Sequence, residues 1–162
     1  MVVPGNGSHN SKIMFIGEAP GSIENETGLP FSGKSGTLLG NLLQQIGLVR
    51  QDVFITNLVK CRPPMNRNPS AKEIKSCLNF LLSQIAILKP TLIVTLGNVP
   101  LSALLPKESI SKSHGKLKHW RGVDLLPFYH PAAALYNPKL KPVLKKDFDT
   151  LSQIIKKSIT NI

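Results

Sequence analysis

A chain of 162 residues is long enough to bury one core and short for two, and a content of 41% hydrophobic and 18% charged residues excludes a disordered or fibrous class. No apolar run is long enough to span a bilayer, and the N-terminus has no basic region followed by an apolar one, so an intracellular, cytoplasmic protein is expected. Twenty Lys and Arg against nine Asp and Glu give a net charge of +11, which suits a polyanion such as nucleic acid, or else a solvated basic surface; no helical stretch opposes a basic face to a Trp- and Phe-rich one, which argues against a membrane surface.

Residues 1–11 are polar and glycine-rich and read as extended or flexible, leading into one domain that covers the whole chain, 1–162. Lys12 to Gly17 is a short apolar strand stopped by glycine. The polar stretch Gly17 to Gly36, GEAPGSIENETGLPFSGKSG, reads as a long loop, and long ordered loops in compact domains are usually functional. Leu38, Leu39, Leu42, Leu43 and Ile46 then recur at helical spacing, with Gly47 as a C-cap. Val53 to Val59 is a second strand that carries a polar Asn57, and the prolines of KCRPPMNRNP forbid regular structure after it. Ser70 and Glu73 form a capping-box pattern ahead of an amphipathic helix through Ile74, Leu78, Leu81, Leu82, Ile85 and Leu88. Thr91 to Leu96 is a third strand, Val99 to Leu105 a short helix, and 106–122 a basic loop that can hold a hairpin. Leu125 to Tyr129 is a fourth strand ending in HPAAAL, and a lysine-rich helix runs from about Lys141 to Ser158.

The alternation of strand and helix predicts a three-layer α/β/α domain around a mostly parallel, four-stranded sheet. Ligands of such folds bind beyond the carboxyl ends of the strands. Here those ends carry GEAPG, NLVKCRPP, TLGN and YHPAAAL, so the polar motifs converge on one edge. Gly28 to Ser35 matches the P-loop pattern formally, but no strand leads directly into it and no later strand ends in a magnesium-binding Asp, so no nucleotide cofactor is expected.

Taken together and in order, GEAPG, PFSGKSG, NLVKCRPPMNRNP and HPAAAL resemble the family 4, iron–sulfur type uracil-DNA glycosylases. The resemblance covers about residues 2–150 and implies the uracil-DNA glycosylase fold and a base-excision-repair enzyme that releases uracil from DNA. Such an enzyme needs a snug pocket for a flipped base, an aromatic face, an amide to read the base edge and a donor for the departing oxyanion. The resemblance assigns the stacking face to Phe31, the amide to Asn57 and the donor to His130. It puts Glu18, the backbone of Ala19 and Glu24 around the sugar and the base. Another branch of the superfamily has an aspartate where Ala19 stands, so the reaction here leans on leaving-group stabilisation, with a carboxylate such as Glu24 helping the cation or the water. Read without the resemblance, Glu24 and Glu26 are a solvated acidic loop. Asn66 is a further pocket or backbone contact. Lys34, Ser35, Arg62, Arg67 and Arg121 are candidates for DNA contact, and Leu135 or Tyr136 for a wedge into the duplex.

The family holds a [4Fe–4S] cluster on four cysteines, and this chain has two, Cys61 and Cys77, matching the second pair. Their KCRPP context favours a truncated sequence over a lineage that dropped the cluster. The alternative to an enzyme is a nucleic-acid-binding module with this fold and impaired chemistry. A monomer is expected.

Overall fold

The computed structural model describes residues 1–160. Six strands form one sheet: β1 (Asn6–Gly7), β2 (Ile13–Gly17), β3 (Phe54–Asn57), β4 (Leu92–Leu96), β5 (Lys118–Trp120) and β6 (Val123–Phe128), in the order β1-β3-β2-β4-β6-β5. The four central strands are parallel and are the four expected from the sequence. The two additions are edge strands that pair antiparallel, β1 on β3 and β5 on β6, so the sheet has six strands and not four. Their polar residues show no alternation because an edge strand is held by backbone hydrogen bonds on one side only.

Among the described residues seven helices flank the sheet: α1 (Ser22–Thr27), α2 (Lys34–Gln45), α3 (Ala71–Leu88), α4 (Asn98–Leu104), α5 (Ile110–Ser113), α6 (Pro131–Tyr136) and α7 (Leu140–Thr160). Side chains alternate across each strand, so each face builds its own core. Phe15, Ile55, Val94, Leu96, Leu126 and Phe128 pack with Leu39 and Leu43 of α2 and Phe148 and Leu151 of α7. Met14, Ile16, Phe54, Ile93 and Leu125 pack with Leu81 and Ile85 of α3 and Leu101 of α4. The expected three layers are therefore present. No helix among the described residues is long and apolar enough to cross a membrane.

The segment 1–11 is tied down as well as extended: Val3 is buried and its amide donates to the Lys60 carbonyl at 2.7 Å. The polar loop after β2 contains a helix, α1, that the sequence does not announce. It buries no residue and ends on Gly28 in the left-handed conformation. Ser70 and Glu73 cap α3 as expected, the Ser70 hydroxyl accepting from the Glu73 amide.

Candidate active site

The carboxyl ends of the four parallel strands carry Gly17, Asn57, Leu96 with Gly97, and Phe128 leading to His130. Parallel pairing brings Gly17 opposite Asn57. Gly17 has no side chain, and a Cβ there would run into both Asn57 Oδ1 and the Phe31 ring. The amide and the aromatic therefore share the space above the glycine. Gly97, at φ +94°, likewise lets the chain pass close to His130.

Phe31 is 4% exposed and packs into the α2 face of the core, so it is a core side chain as well as a wall of this space. Its ring lies 5.4 Å from that of His130 at 23°, a stacked pair. Its backbone is at φ +52°, rare for a bulky residue. Asn57 is 2% exposed, and its Oδ1 has no hydrogen-bond partner among the described residues. Leaving such an oxygen unpaired costs about 1–3 kcal/mol, which marks a group kept for a ligand or a water.

His130 precedes α6 and caps it, its Nδ1 accepting from the Ala132 amide at 3.0 Å. An accepting Nδ1 fixes the neutral tautomer with its proton on Nε2. Burial lowers the pKa of the ring to about 4, against a smaller upward pull from Glu24, so the imidazole is neutral near pH 7.

Glu24 works on the backbone. Its two carboxylate oxygens accept from the amides of Gly21 and Gly33, each at 3.1 Å, tying the start of α1 to the start of α2. With both oxygens so engaged it is a strap on the loop before it is a base. In Glu24→Gln one of these amides would face an NH₂ donor, and stability should fall by about 1–3 kcal/mol in denaturant titration. An unchanged midpoint would remove the strap. Glu18 continues β2, its carbonyl accepting from the Val59 amide, and partial burial raises its carboxyl pKa. Ala19 packs on the α3 side of the core.

A cleft of about 450 Å³ opens beside these groups, lined by Glu24, Lys34, Ser35, Asn66 and Leu135, together with Tyr136. Six sequence candidates thus meet in one groove. Tyr136 is 90% exposed and Leu135 41%. Arg62 donates to Asn66 Oδ1 at 2.7 Å, so these two form one unit on the rim. Arg67 is held by a two-pronged ion pair with Glu73, 2.8 Å on each side, and its charge is already matched. Arg121 does not join the group. It turns the β5–β6 hairpin at the amino end of β6, a strand's length from the site, with its guanidinium over Trp120. The P-loop look-alike is preceded by α1 and not by a strand, which removes the nucleotide-binding geometry.

Two residues absent from the sequence reading support this site. Lys60, 5% exposed, donates to Thr56 Oγ1 at 2.7 Å, to Gln84 Oε1 at 2.7 Å and to the Asn57 carbonyl at 2.6 Å; burial lowers its pKa to about 8. It fixes the main chain under Asn57. Arg50 is the other, donating to the carbonyls of Pro30 and Phe31. Arg50 stands in no motif; Lys60 stands in NLVKCRPP, but only its place after an apolar run sets it apart there.

Cys61 and Cys77 are free thiols that line the same two surface hollows, so the fold brings them together. Among the described residues no group of three or more His, Cys, Asp or Glu could hold a metal. Two thiolates are half of what a [4Fe–4S] cluster takes, so the residues present do not complete such a site.

A family model, described as the Uracil DNA glycosylase superfamily, matches residues 4–155, and the chain belongs to that superfamily. Type-4 uracil-DNA glycosylases are among its relatives. The chain is 49% identical to the type-4 uracil-DNA glycosylase of Saccharolobus solfataricus, over 94% of this chain and 76% of that protein. It is 45% identical to the type-4 enzyme of Sulfurisphaera tokodaii, over 94% and 74%, and 42% identical to that of Thermotoga maritima, over 96% and 84%.

Proposed function

We propose that this protein is a uracil-DNA glycosylase of base-excision repair, taking uracil from DNA and hydrolysing its N-glycosidic bond to leave free uracil and an abasic site. The observation that carries the reading is the buried, unpaired Asn57 Oδ1 facing Phe31 beside a neutral His130. An amide offers an acceptor and a donor in one plane, which matches the N3–H and O4 edge of uracil. Phe31 stacks the base. As the bond between C1′ and N1 breaks, its electron pair moves into the uracil ring and charge gathers on O2. His130 donates Nε2–H to that oxygen without giving up its proton, because a donor fixed in advance needs no rearrangement when charge develops. Water then adds to the cationic C1′ and loses its proton. Ala19 offers no carboxylate for that step. The family resemblance puts Glu18 and Glu24 around the sugar, and both Glu24 oxygens are taken by backbone amides, so Glu18 is the carboxylate we assign to it.

Lys34, Ser35 and Asn66, with Leu135 and Tyr136, line the groove that takes the DNA backbone, and Arg62 joins it through its bond to Asn66. All these residues come from one chain, so the reading requires no second copy. It also routes no step through an iron–sulfur cluster. A binding module without chemistry would have no use for an orphaned amide inside its core.

The direct test incubates the 162-residue chain with a uracil-containing oligonucleotide and a thymine control, followed by alkali. Scission at uracil alone is expected. DNA binding without scission would overturn the enzyme reading in favour of the module. A second expectation concerns the wedge. Tyr136→Ala or Leu135→Ala should slow uracil release from duplex more than from single-stranded DNA, because unstacking costs a few kcal/mol in the duplex only. Equal losses on both substrates would remove the wedge role.

A further inference from the structure

We propose that Arg50 is a positioning residue for the base-stacking Phe31, acting from outside the cleft by clamping the backbone that presents the ring; the inference rests on the glycosylase reading of the site. Arg50 opens the 3-10 turn Arg50–Asp52 that links α2 to β3. Its side chain reaches back to the loop, where Nη1 donates to the Phe31 carbonyl and Nη2 to the Pro30 carbonyl, each at 2.6 Å. A planar fork meeting two consecutive carbonyls is a contact that arginine makes and lysine, a single point of charge, does not reproduce.

The clamp falls on the one peptide of the loop that needs it. Phe31 is held at φ +52°, a conformation that a bulky residue keeps only when its surroundings enforce it. The enforcement comes from three sides. Arg50 holds the carbonyl, the His130 ring lies against the side chain, and Gly36 of α2 leaves room for the backbone, since a Cβ there would overlap the Phe31 carbonyl. Glu24 completes the frame from the other end of the loop by tying Gly21 to Gly33, close enough for its charge to act on Arg50. Without the clamp the Phe31 peptide is free to relax toward negative φ, and the ring turns away from Asn57 and His130. The residue thus acts on the geometry of catalysis and only through Phe31.

The experiment compares single-turnover uracil release by the unmodified chain, Arg50→Met, Arg50→Lys, Phe31→Ala and the double variant Arg50→Met/Phe31→Ala. DNA affinity and thermal midpoint are measured in parallel. Arg50→Met should slow release by about 10- to 100-fold, the scale of a misplacement near 1 Å. DNA affinity should stay close to that of the unmodified chain, and Arg50→Lys should recover little of the rate. In the Phe31→Ala background the same Arg50→Met change should leave the rate nearly unaltered, although it lowers the midpoint as much as before. That split separates positioning from general stabilisation. Unchanged release, multiplying losses in the double variant, or a loss confined to DNA affinity would each overturn the proposal. If Arg50→Met does not fold, Arg50→Lys carries the comparison. If the unmodified chain releases no uracil, the glycosylase reading fails by itself. The clamp is then judged from a crystal structure of Arg50→Lys: Phe31 leaving positive φ supports it, and Phe31 unmoved refutes it.

Discussion

His130→Ala should lower the rate of uracil release by about 10²–10³-fold, the usual loss when one donor to a developing oxyanion is removed. DNA affinity should be nearly retained, because sequence-independent binding comes from the basic rim. The pH dependence separates a neutral donor from a general acid. With the His130 pKa depressed to about 4, release should show no inflection from this ring near its ordinary 6.5, and an acid limb near pH 4. Stability follows the same sign. The native state resists protonation at His130, so the contribution is complete above 6.5 and is lost as pH falls through 4. The thermal midpoint of the unmodified chain should therefore fall relative to His130→Gln across that window. An inflection near 6.5 in the rate, absent from His130→Gln, would sink the neutral-donor mechanism.

Asn57→Leu separates function from folding more sharply. The substitution fills the same space with carbon and removes an oxygen that has no partner among the described residues. Release should fall by about 10³-fold or more, as expected when a site built to hydrogen-bond its substrate loses the group that does so. Stability should hold or rise, because replacing an unsatisfied buried polar group by an apolar one of similar shape is neutral or favourable. Calorimetry on the two chains reads this directly. A midpoint several degrees lower, with release intact, would make Asn57 a structural residue and leave the pocket without its reader.

The parallel strands were legible because each is an apolar run closed by a polar motif, and both signals persist without tertiary context. Asn57 and His130 stood out as candidates because a polar group at the end of a buried strand needs a partner. Other elements were not legible, β1, β5 and α1 among them. β1 and β5 are two and three residues long, and edge pairing leaves no side-chain periodicity to read. α1 buries nothing, so no amphipathic stripe marks it; a carboxylate three residues into the helix holds its start. Arg50 and Lys60 were invisible for a different reason. Arg50 bonds the carbonyls of Pro30 and Phe31, far from it in sequence, and Lys60 bonds Thr56, Gln84 and the Asn57 carbonyl once it is buried; a sequence shows neither. Arg121 was misgrouped with the DNA-facing residues because a basic loop does not say at which end of its hairpin the charge will lie.

The order of the strands also governs when the site comes into being. Gly17, Asn57 and His130 belong to separate strand–helix units, and β6, which carries His130, pairs only with β4 and β5. Phe128 at its end is covered by Phe148 of α7, near the end of the chain. During synthesis the glycine and the amide emerge early, whereas the imidazole is the last of the three to leave the ribosome. A chain cut before β6 would hold Gly17 and Asn57 without the imidazole. Competence to make abasic sites arrives together with the finished fold.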